Sequence, residues 1–172
     1  MTAKVSMDIL DRLLGHDAWT TRELLLRCQG LSDSQLDREF DIGHRTLRET
    51  FVHLIWNMEA WTDVLCERPV RQKPAATQRN TSVAGLLRRL DAAAPELETI
   101  AKALSASGRL DDIWLDANVK PPVRRTMGSV IVHLITHSMH HRAHLLWIMR
   151  RLGVKDLIEG DVLSWEEAKR KD

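Results

Sequence analysis

Residues 46–65 read TLRETFVHLIWNMEAWTDVL, and their spacing decides the fold. Leu47, Phe51, Leu54, Met58, Trp61 and Leu65 step by four and three, which lines one face of an α-helix with apolar side chains. Thr46 and Glu49 form a T-x-x-E capping box at its start, and Pro69 is expected to close it. Upstream, Leu10, Leu14, Ala18, Leu25 and Cys28 recur at the same spacing up to Gly30, predicting a first long helix. Between these two helices, residues 31–45 carry Ser, Asp and Gly punctuation around Phe40 and Ile42, which reads as a connector with one short helical turn.

Downstream, residues 69–81 contain two prolines and little apolar content, the mark of an exposed linker. Val83, Leu87, Leu90, Ala94, Leu97, Ala101 and Leu104 predict a third long helix before Gly108, kinked or broken at Pro95. Residues 109–125, with Pro121 and Pro122, read as an extended crossing segment. A fourth long helix begins near Thr126 and ends at Arg150, Arg151 and Gly153, cations and glycine where a C-terminus favours them. Ser164 and Glu167 make a second capping box, predicting a short tail helix. Four long amphipathic helices with no sustained strand pattern point to an all-α four-helix bundle with a short C-terminal helix, residues 1–172 forming one domain. The six Trp are expected in its core.

The chain has 172 residues, and 25 Lys and Arg balance 24 Asp and Glu. No bulk field therefore draws it to nucleic acid or an anionic membrane, although Arg124, Arg125, Arg150 and Arg151 are a patch to test by salt-dependent binding. Apolar windows stop well short of a membrane span. Two cysteines, Cys28 and Cys66, make no disulfide framework, and with no apolar leader they suggest a cytoplasmic protein.

The chemistry concentrates in GSVIVHLITHSMHHRAHLLWIMRRLG, residues 128–153. Five of the eight histidines, His133, His137, His140, His141 and His144, fall here within an arc of about 100° on the fourth helix. Pairs four residues apart can share one ion at about 2.0–2.1 Å, and His133/His137, His137/His141 and His140/His144 all qualify. Spacing alone does not choose among them. Two imidazoles rarely hold an ion, so a third is needed from elsewhere; His53, inside the best-defined helix, is the natural one, with His16 and His44 open by spacing. No E-x-x-H pair, H-E-x-x-H, C-x-x-C or glycine-rich phosphate loop is present, which removes di-iron, zinc-protease, cysteine-cluster and nucleotide schemes. Because imidazoles must be neutral to coordinate, metal affinity is expected to fall below about pH 6.5.

DIGHRTLRETFVHLIWNMEAWTDVL, residues 41–65, followed some 70 residues later by the histidine-rich stretch, resembles the DinB/YfiT-like superfamily of metalloenzymes. The shared landmarks are the T-x-V-H-L-I around His53 and the H-x-x-x-H-R of His137, His141 and Arg142 before an R-x-L-G ending. The resemblance implies that His53, His137 and His141 are the metal ligands and that His133, His140 and His144 are extras. It also implies a divalent ion, with zinc the default and nickel, manganese or iron open, and a homodimer. Characterised members use bacillithiol, mycothiol or related low-molecular-weight thiols, which implies an S-transferase acting on small electrophiles. The alternative is a non-catalytic, metal-stabilised, stress-related bundle that binds a small ligand; a fourth protein ligand such as His16 or Glu49 would favour it. Ala143 and His144 stand where the family often has Gly-Gln. Arg142 projects about 140° from His137 and reads as a packing or salt-bridge residue. Asn57 and Glu59 are candidate outer-shell groups around His53.

Overall fold

The computed structural model describes residues 7–75, 81–117 and 119–171. Parts of the 69–81 linker, the extreme termini and one residue of the crossing segment lie outside them. Six helices are present among the described residues: α1 (Ile9–Arg27), α2 (Asp33–Leu36), α3 (Leu47–Leu65), α4 (Val83–Ala106), α5 (Met127–Arg151) and α6 (Val162–Lys169). The four long ones pack in the cyclic order α1, α4, α3, α5, so that α3 and α5 are neighbours and α1 and α3 lie diagonally. Their apolar stripes meet in one core, with Leu25, Phe51, Ile55, Leu90, Leu145 and Ile148 all at most 1% exposed. No helix among the described residues is long and apolar enough to cross a membrane.

Each helix starts where a side chain can satisfy orphan backbone donors. Asp8 and Asp11 form a reciprocal capping box on α1, and Thr126 accepts from the Ser129 N–H on α5. The box expected on α3 is only half made. Thr46 Oγ1 accepts from the Glu49 N–H at 3.0 Å, but the Glu49 carboxylate turns to Lys73 Nζ at 3.2 Å. The helix also stops before Pro69, at Leu65, where Glu67 adopts a left-handed φ of 55°. At the tail, Asp161 accepts from Leu163 and Ser164, so α6 begins at Val162 and the Ser164–Glu167 box is not used.

Three further expectations change. Helix α4 runs unbroken through Pro95; both Pro95 and Asp91, the residue whose carbonyl loses its partner, are exposed. The crossing segment is a 3₁₀ turn (Arg109–Asp111) followed by an antiparallel hairpin of β1 (Ile113–Asp116) and β2 (Val123–Thr126), with Trp114 opposite Arg125. Its strands are four residues each, too short for an alternating pattern to show against the surrounding loop. Of the six Trp only Trp165 is fully buried, and the other five are half-buried. Trp165 docks α6 on α1 so closely that a Cβ on Gly15 would lie 2.7 Å from its ring.

Arg142 makes the salt bridge its angular position predicts. It is 3% exposed and pairs with Asp17 of α1, its Nη1 also lying 3.4 Å from Thr21 Oγ1. Burial holds the Asp17 carboxyl above its ordinary pKa against the pull of the guanidinium. The neighbouring residue, His141, faces the other way, into the groove between α3 and α5.

Candidate metal centre

In that groove the Nε2 atoms of three imidazoles converge. His53 Nε2, from α3, lies 3.0 Å from His137 Nε2, and His141 Nε2 lies 3.1 Å from His137 Nε2. The helices bring them there for a simple reason. His137 and His141 are one turn apart on α5, and His53 flanks the apolar stripe of α3 where the two helices pack. His141 is buried, and His53 and His137 are half-buried.

Loss of solvent and mutual repulsion keep these rings neutral. Burial, followed by the neighbouring imidazoles His44, His141 and His137, pushes the His53 pKa down to about 3. Burial and then His137, His44, His140 and His144 do the same to His141, also to about 3. His137 is shifted in the same direction, again chiefly by burial. Lone pairs are therefore available at neutral pH, and acid should remove them at a lower pH than the ordinary histidine value of 6.5 suggests.

Asn57, one turn beyond His53, closes the arrangement. Its Nδ2 lies 2.8 Å from His53 Nε2 and 3.0 Å from His137 Nε2, so its two N–H groups can serve both neutral acceptors. The donor set fits a divalent ion. Tetrahedral ligands about 2.0–2.1 Å from a common centre stand about 3.3 Å apart, which the observed separations approach within a few tenths of an ångström. The Nδ1 of buried His141 has no hydrogen-bond partner among the described residues.

A fourth imidazole, His44, also reaches the cluster. Its ring centroid is 3.8 Å from that of His53 and 5.1 Å from that of His141. One ligand nitrogen from each of His44, His53 and His141 lies within 4.8 Å of the others. The α2–α3 loop delivers it, bent by positive φ at Gly43 (46°) and Arg45 (69°). Glycine suits the left-handed φ at residue 43, and a Cβ there would also run into the His144 ring. Helical periodicity says nothing about a loop residue. The only signal was the position of His44 two residues before the Thr46 cap, within one turn of the helix that carries His53.

The remaining candidates are placed elsewhere or at the edge. His16 is buried and bonded to the Gly160 carbonyl, just before α6, at 2.9 Å, and Glu49 is engaged by Lys73. Glu59 is not at this centre: its carboxylate forms a two-point pair with Arg89 of α4 at 2.7 and 3.0 Å. His133 is exposed and stacks on His137 with ring centroids 5.1 Å apart. His140 is exposed beside His144. Cys28 is fully buried, with its thiol pKa pushed up to about 12 by burial, and takes no part.

Compared with known protein families, residues 16–145 match the sequence profile of the DinB superfamily, a span that includes all four converging histidines. No curated protein matches the chain.

Proposed function

The chain belongs to the DinB superfamily, and on that premise we propose that His53, His137 and His141 hold a divalent metal ion, zinc by default, at which a low-molecular-weight thiol is transferred to a small electrophile. The observation that carries this reading is the convergence of three neutral imidazole nitrogens in a groove between two helices. Bound there, a divalent ion supplies the Lewis acidity that makes a thiol a thiolate at neutral pH.

The protein's own groups do the rest. His53, His137 and His141 keep their lone pairs free of protons because burial disfavours the imidazolium. Asn57, able to donate at the same point, can hold a hydrogen bond to an anionic sulfur. Exposed His133 at the groove's rim can accept the thiol proton. The transfer forms a sulfur–carbon bond on an epoxide, alkyl halide or activated alkene. The halide departs, or the epoxide oxygen or alkene carbon takes up a proton. The same reading has residues 1–172 act as a single domain, in the cytoplasm and as a homodimer.

His44 favours a second reading, a non-catalytic metal-stabilised bundle, because a fourth imidazole would close the coordination sphere. Elemental analysis of the wild type beside His53→Ala, His137→Ala and His141→Ala tests the ligand set. X-ray absorption on the metal-loaded protein then counts imidazoles, and a thiol-consumption screen follows. Three imidazoles with thiol turnover support the transferase. Four imidazoles unchanged by added thiol, with no turnover, support the inert bundle.

A further inference from the structure

We propose that the cleft between Trp56, Trp61 and Trp114 is a binding slot for a neutral, single-ring aromatic group, seated beside the histidine cluster. Calling that group part of the electrophile rests on the function proposed above; the slot itself does not.

Three of the five incompletely buried Trp gather here. Trp56 and Trp61 come from α3, and the hairpin brings Trp114 edge-on to Trp61, with ring centroids 5.6 Å apart at 84°. Val64 and Val70 complete the apolar wall of a cavity of about 120 Å³, open on one side. A closed apolar cavity of about 150 Å³ accommodates benzene, so this one, extended by its open side, suits one ring and not a fused system. The large apolar faces left half in water at this one point are what a flat ligand would cover.

Charge defines the ligand further. Among the described residues, no ionisable side chain lines the cavity. The Trp56 indole N–H is already donated to the Arg71 carbonyl at 3.1 Å. Across Trp61 the contrast is sharp, because the adjoining cavity of about 180 Å³ is lined by Asp116, Arg125 and His133. An ionised group would be desolvated in the first cavity with no compensating partner.

Position links the slot to the chemistry. Asn57 lines the cavity, and its Nδ2 is 2.8 Å from His53 Nε2. Its side chain therefore separates the seated ring from the imidazoles by the thickness of one amide.

The test is a titration of protein carrying ¹⁵N-labelled Trp with 4-nitrobenzyl alcohol, with neither metal nor thiol added, followed by the indole N–H resonances. Saturable shifts are expected for Trp56, Trp61 and Trp114. Trp165 in the core and Trp147 packed on Phe40 should stay still. Trp61→Leu should weaken binding about fivefold or more, and Trp147→Leu should leave it unchanged. Trp114→Leu, on the hairpin, serves if Trp61→Leu does not fold. The proposal is overturned by absent shifts, by equal shifts at all six indoles, by undiminished binding in the folded slot variant, or by 4-nitrobenzoate binding as tightly as the alcohol. Saturable binding without thiol turnover counts against the transferase alone, and turnover without binding counts against the slot alone.

Discussion

His141 and Arg142 are adjacent on α5, both buried, and they face opposite surroundings. Arg142 points at α1 and finds a carboxylate, Asp17, within the same core. His141 points at α3 and finds other imidazoles, with no acid to stabilise a proton and with its Nδ1 unpartnered among the described residues. The first is a charge that the chain pairs with a carboxylate, although its Nη2 has no hydrogen-bond partner among the described residues, and its role ends at holding two helices together. The second is a set of lone pairs that the chain gathers without neutralising one another, the arrangement a cation would complete.

The largest effect that could break this contrast is removal of a ligand. Alanine at His53, His137 or His141 should take bound metal from about one per chain to near zero while the helical content stays, read by elemental analysis and circular dichroism. Metal retained in all three variants would end the distinction. Next, Asp17→Ala strands the Arg142 charge in the core and should cost about 3–5 kcal/mol of stability in denaturant unfolding. The folded fraction should still bind metal. Asp17→Leu combined with Arg142→Met should recover most of the loss, because no uncompensated charge then remains.

Asn57→Ala should not weaken metal binding and should tighten it by up to about tenfold, since the amide N–H groups compete with the ion for the Nε2 lone pairs of His53 and His137. Competition against a chromophoric chelator would measure this. The smallest change is in pH. The folded pKa values of His53 and His141, about 3, lie below the ordinary 6.5. The unfolded chain therefore takes up protons between those values that the folded chain refuses. Stability of the metal-free protein should be full above pH 6.5, decline as pH falls below it, and level off near 3. A melting midpoint lower by a few degrees at pH 5 than at pH 7.5 is expected, with a shallower decline in His141→Leu. A midpoint that rose on acidification would contradict the buried, neutral assignment.

Much of the framework was legible because it repeats. The four-and-three spacing of Leu47, Phe51, Leu54 and Met58 sets a helix face whatever surrounds it, and Thr126 marks the start of α5 by local hydrogen bonding alone. The same periodicity put five histidines on one face, the place of His53 inside the best-defined helix made it the natural third ligand, and the family landmarks picked His137 and His141 from the five. Features that depend on a single contact were hidden. Glu49 abandoned its half of a capping box for Lys73, and Asp161 displaced Ser164 as a cap. Glu59 went to Arg89, across the bundle from where proximity in sequence suggested.

The order of the elements, the faces of the long helices and the identity of the histidine-bearing stretches follow from the amino-acid sequence, because backbone geometry converts spacing into direction without outside help. Only the tertiary structure decided that His44 joins the cluster, that Asn57 closes it, and that a short hairpin carries Trp114 to its side. Each of those depends on where a loop or a neighbouring helix lands, and that is governed by packing across the bundle, which no local repeat records.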